Sequence, residues 1–102
     1  MKEYEGQAYE QVVGQQGVVV VQYYATWCGP CKMLKPVLEQ LSSEWTDTPF
    51  YRVDIDQFRD QSIEAGIRSV PTVVVYKDGE EVDRQSGYQP KAKVEAWIGQ
   101  FK

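Results

Sequence analysis

Apolar positions alternate along the chain between short continuous runs and stretches of helical period. Val18-Val19-Val20-Val21-Gln22-Tyr23-Tyr24 is β-branched and aromatic and does not alternate. That is the pattern of a strand covered on both faces. Phe50–Ile55 and Thr72–Tyr76 read as two further strands. Gln7–Val13, with Ala8, Val12 and Val13 apolar, predicts a short helix that Gly14 and Gly17 end. After Cys31, residues Leu34, Val37, Leu38 and Leu41 recur at three- and four-residue steps, with Trp45 a turn beyond. This is one face of a helix, and Pro36 inside it predicts a kink. Asp47–Pro49 reads as a loop. Asp56 is placed to cap a short helix that ends at Gly66. Lys77-Asp78-Gly79-Glu80 carries the Asp-Gly signal of a hairpin, so Thr72–Tyr76 and Glu81–Ser86 are expected to pair antiparallel up to Gly87. Pro90 suits the first turn of a last helix with Val94, Trp97, Ile98 and Phe101 on one face. Strand–helix–strand units predict a parallel core sheet, the hairpin an antiparallel edge, and the valine runs helices on both faces.

Composition narrows the chemistry. The chain has 102 residues, which fits one domain spanning 1–102. Its net charge is −4 and it has no basic run, which argues against a nucleic-acid partner. Residues 1–16 are polar and carry Glu3, Glu5 and Glu10, so no signal peptide is read there. The run Val18–Val21 is far too short for a membrane span. A cytoplasmic protein is the expectation, and there a cysteine pair is more often reactive than a structural staple. The chain has no histidine, which removes the usual general base and any internal Ser-His-Asp or Cys-His site. Two cysteines cannot fill a four-ligand zinc site without carboxylates or a second chain. No metal site is read.

The two cysteines, Cys28 and Cys31, follow the first long strand and open a helix. Positions i and i+3 share a helix face, so the two thiols can close a small disulfide with little backbone movement. The helix N-terminus favours a thiolate at the first of them. Cys28 is therefore the expected nucleophile and Cys31 the resolving thiol. Pro30 stiffens the turn, and Gly29 leaves a substrate backbone room to approach. A buried structural pair or half of a metal site is the weaker reading, because the CxxC stands at a strand-to-helix junction.

Ala25-Thr26-Trp27-Cys28-Gly29-Pro30-Cys31-Lys32 resembles the active-site motif of the thioredoxin family. The resemblance extends over essentially the whole chain: Pro36, Val53-Asp54-Ile55-Asp56, Gly66-Ile67-Arg68-Ser69-Val70-Pro71-Thr72, Lys77-Asp78-Gly79-Glu80 and Gly87. It implies a thioredoxin fold, a central mixed sheet of about five strands flanked by four helices. It implies a disulfide reductase with no bound cofactor, acting as a monomer on disulfide-containing client proteins. Reducing equivalents are expected from NADPH through thioredoxin reductase. The Val70–Pro71 bond is expected to be cis, where the residues alone would read an ordinary trans proline. Trp27, Val70, Pro71, Gly87 and Tyr88 are expected to form an apolar collar around Cys28. Tyr88 departs from the family, which usually has a small residue there.

A second departure lies six residues before Cys28, where Gln22 takes the place of the family's usual buried aspartate. Gln22 cannot ionise, though its amide can hydrogen-bond an internal water. Arg52 takes the place of the lysine that pairs with that aspartate, so it needs another partner or exposure. Tyr24 stands where the family usually has a second tryptophan. The resolving step is expected to be slow. Two other roles are compatible with the residues: a binding subunit with an idle dithiol, and a carrier dedicated to one reductive enzyme such as ribonucleotide reductase.

Overall fold

In the computed structural model, which describes residues 1–102, the valine run lies at the centre of a five-stranded sheet. The elements are β1 (Lys2–Glu3), α1 (Tyr9–Val13), β2 (Val18–Tyr24), α2 (Gly29–Glu44) and β3 (Phe50–Asp54). They continue with α3 (Arg59–Glu64), β4 (Thr72–Lys77), β5 (Glu80–Ser86) and α4 (Lys91–Gly99). The strand order is β1-β3-β2-β4-β5.

Every residue of β2 is buried. Its side chains alternate between two apolar layers, as the strand period of two requires. Val18 and Val20 pack with Leu34, Leu38 and Leu41 of α2 and with Val94, Trp97 and Ile98 of α4. Val19, Val21 and Tyr23 pack on the other face with Val12 and Val13 of α1, and Phe58 and Ala65 flank α3 there. The continuous valine run thus reflects helices on both faces.

Only part of the sheet is parallel. β1 and β2 run parallel to β3. β4 runs antiparallel to β2, and β5 antiparallel to β4. The expected parallel unit from β3 through α3 to β4 therefore does not form. Helix length is the reason. The 16 residues of α2 span ~24 Å at ~1.5 Å each, enough to carry the chain back along a strand. The six residues of α3 span only ~9 Å. The chain leaves β3 and enters β4 at the same end of the strands, beside Tyr23 and Tyr24 of β2. That end holds the cysteines.

Local signals set several boundaries. α2 continues through Pro36 to Glu44. Asp78 and Gly79 have φ of 52° and 88°, the left-handed pair that a two-residue hairpin needs. Asp78 Oδ1 also accepts from the Gly17 N–H at 2.8 Å, docking the turn on the loop before β2. Pro90 is the N-cap of α4, one position earlier than expected. Asp56 does not cap α3, whose N-cap is Phe58 with no side-chain bond. Asp54 does the local work instead, its Oδ1 accepting from the N–H groups of Asp56 and Gln57 at 2.9 and 3.3 Å. A carboxylate at the strand end reaches the turn's first free donors, whereas Asp56 already lies within the turn.

Candidate active site

β2 delivers the chain to a tight turn, in which the Cys28 N–H donates to the Ala25 carbonyl at 3.1 Å. Cys28 is then the N-cap of α2, with extended backbone at φ −90° and ψ 112°. Pro30 falls in the first helical positions, where its missing donor costs nothing. Cys28 and Cys31 form a disulfide across one turn, with Cα atoms 5.3 Å apart. The Cys31 N–H donates to Cys28 Sγ at 3.2 Å. A free helix N–H aimed at a sulfur stabilises negative charge there. Cys28 is 5% exposed and Cys31 1%, so the first cysteine lies nearer the surface than the second. A Cβ placed on Gly29 would meet nothing within 4 Å, so the approach over that residue is open.

Neighbouring loops complete the surroundings. Tyr24, Ala25, Cys28 and Cys31 form one buried apolar cluster, with Ile55 and Val70 packed against it. The Val70–Pro71 bond is cis. The Gly87 N–H donates to the Pro71 carbonyl at 2.8 Å, and Thr72 Oγ1 bonds Ser86 Oγ at 2.9 Å. Two loops distant in sequence are thereby tied side by side. Gly87 has φ 90°, a conformation that favours glycine. Trp27 is 68% exposed, and its ring N–H donates to Asp56 Oδ2 at 2.9 Å. Tyr88 is half-exposed and stands outside the apolar cluster.

Gln22 is fully buried behind the disulfide. Its Nε2 donates to the Cys31 carbonyl at 3.5 Å, and its Oε1 has no partner. Arg52 lies directly opposite on β3 and Glu3 opposite Arg52 on β1. The three polar residues therefore form a row across adjacent strands. Arg52 meets Glu3 at 3.2 Å and the face of the Tyr24 ring, 3.7 Å from the centroid, while its buried Nε has no hydrogen-bond partner. The Tyr24 hydroxyl donates to the same carboxylate at 2.5 Å. Burial first, and that bond second, push the Tyr24 phenol up to about 12.

Beside Cys28 lies a groove of about 400 Å³, lined by Trp27, Ile55, Ile63, Ile67 and Val70 with Arg59 and Arg68. Sequence reasoning placed Trp27 and Val70 at the site, met Ile55, Ile67 and Arg68 only within family-like segments, and did not name Arg59 or Ile63. Ile63 stands 63% exposed on α3, an apolar residue off the core stripe of a short helix, and that was its available signal. Glu3 and Asp56 were also missed as partners, since each acts on a residue far away in the chain.

The thioredoxin family model matches residues 1–100. The chain is similar to thioredoxin-1 of Schizosaccharomyces pombe, 42% identical over 90 residues, covering 88% of this chain and 86% of the relative. It is 44% identical over 98 residues to a thioredoxin of Malassezia sympodialis, covering 90% and 89%. Among solved structures, a thioredoxin of Plasmodium falciparum superposes with TM-score 0.91 at 32% identity, over 100% of both chains. With a Trp-Cys-Gly-Pro-Cys disulfide at the mouth of α2 and relatives matched along its length, the chain belongs to the thioredoxin family and is a thiol–disulfide oxidoreductase.

Proposed function

We propose that Cys28 and Cys31 divide the reaction between them and reduce disulfides of client proteins. The Cys28 thiolate attacks one sulfur of a client disulfide. The client S–S bond breaks, a mixed disulfide forms, and the departing client sulfur takes up a proton. Cys31 then gives up its thiol proton and attacks Cys28 Sγ. The second client sulfur leaves with its electron pair and is protonated. The client gains two electrons and two protons, and Cys28–Cys31 is left oxidised. The observation that carries this assignment is the asymmetry at the head of α2. Cys28 is the N-cap and the more exposed cysteine, while Cys31 is buried one turn inside.

Trp27, Val70, Pro71, Gly87 and Tyr88 are the collar that receives an extended client segment, with the Val70 backbone free to pair with it. Gln22 and Arg52 stand behind the dithiol as positioning residues. Gln22 holds the Cys31 carbonyl and supplies no titrating group, so proton removal from Cys31 relies on water. Thioredoxin reductase, drawing on NADPH in the cytoplasm, returns the disulfide to the dithiol. The protein acts as a monomer and as one domain.

The test is insulin reduction, first with dithiothreitol and then with thioredoxin reductase and NADPH. Reduction in both is expected. Cys31→Ser is expected to accumulate a mixed disulfide through Cys28, and Cys28→Ser to form none. Failure of both assays with the fold intact would favour a binding subunit with an idle dithiol.

A further inference from the structure

The groove beside Cys28 has the apolar floor that any extended segment could use, and its charged lining adds a selective element. Two of the four arginines, Arg52 and Arg84, are held by Glu3 and Glu81. The other two, Arg59 and Arg68, both line the groove and make neither a hydrogen bond nor an ion pair. Both are exposed. The one carboxylate in the lining, Asp56, is engaged by the Trp27 ring N–H. Asp60 and Glu64 belong to the same helix as Arg59 and do not line the groove. The whole molecule carries −4. Two free guanidiniums therefore flank an apolar trough next to the reactive sulfur of an otherwise acidic protein.

We propose that this groove selects client segments that combine apolar side chains with a carboxylate beside the disulfide. The proposal rests on the client-reduction reading above and names the substrate class for that site. The apolar part of the client covers Trp27 and Ile63, which stand 68% and 63% exposed. The client carboxylate takes the free donors of Arg59 and Arg68, which suit planar bidentate recognition. The molecule's net charge of −4 disfavours the same client overall, so the arginines orient it as well as bind it. Basic segments gain nothing in the groove and meet the two guanidiniums as like charges.

The experiment compares three synthetic peptides, each with one internal disulfide and identical apolar residues, differing in one flanking Asp, Asn or Lys. The pre-reduced protein is mixed with each, and its oxidation is followed by thiol alkylation. At about 20 mM salt the Asp peptide is expected to react about five-fold faster than the Asn peptide, and the Lys peptide slowest. The ratio is expected to fall toward one at about 300 mM salt, where exposed charges are screened. It is also expected to fall toward one in Arg59→Gln/Arg68→Gln. The reading is the ratio within each protein, so a general loss of reactivity cancels. Equal rates in the wild type at low salt overturn the acidic preference and leave the reductase reading standing, as does a ratio unchanged in the double variant. If no peptide oxidises the wild-type dithiol, the reductase reading falls with it.

Discussion

At Gln22 the chain buries an amide directly behind a reactive disulfide, with one side-chain oxygen unpartnered. A neutral amide costs less to desolvate than a carboxylate, but it cannot take a proton from Cys31. Gln22→Asp is therefore expected to shorten the life of the mixed disulfide near neutral pH. The gain should approach ~100-fold, the lower reach of positioned acid–base catalysis. Stopped-flow resolution of a preformed mixed disulfide measures it, and equal rates in the two proteins contradict the role given to Gln22. Arg52 shows the limit of reading at this scale. Its need for a partner follows from its place in a strand. The partner, Glu3, lies 49 residues away and meets it only because β1 docks on β3. The cysteine pair needed no such help, since i and i+3 meet within one helical turn.

Among the elements, α2 carries the site and is also the best anchored. Leu34, Leu38 and Leu41 are at most 1% exposed and face the sheet beneath β2. Leu38→Ala leaves a cavity there, with an expected loss of about 2–5 kcal/mol. Urea unfolding measures the loss, and a change below about 1 kcal/mol would mean that the helix repacks around the gap. The helix and the valine strand were legible because each repeats one period over many residues. The segment after β3 was harder. Its carboxylates Asp54 and Asp56 sit two apart, and the sequence reading gives the capping role to Asp56 rather than Asp54. The backbone settles it, with Asp54 taking the turn N–H groups and Asp56 the Trp27 ring. A six-residue α3 is also too brief for a clear apolar stripe, which concealed Ile63 and the groove.

Across the whole molecule, tyrosines join the layers. Tyr9, Tyr23 and Tyr76 bring their hydroxyls together beneath the sheet face opposite α2. Burial is the leading cause that raises the phenols of Tyr23 and Tyr76. Tyr24 on the other face is pushed up to about 12 from the ordinary 10.0. The unfolded chain releases these protons more readily than the folded one. Stability from Tyr24 is thus whole below about pH 10 and lost as pH rises from about 10 through about 12. The thermal midpoint is expected to drop between about pH 9 and about pH 11.5, and less steeply in Tyr24→Phe. Melts followed by circular dichroism at both pH values check this, and parallel declines in the two proteins contradict it.

The sequence by itself determined the dithiol, the helix that presents it and the strand beneath it. Each depends on residues close in the chain: a one-turn pair, a helical stripe, a valine run. The hairpin at Asp78-Gly79 was equally local. Tertiary structure alone decided the direction of β4, the Glu3–Arg52–Gln22 row, the tie between Pro71 and Gly87, and the arginine-flanked groove. These depend on how far each helix carries the chain and which strands become neighbours. Such contacts join residues tens of positions apart, and no local periodicity records them.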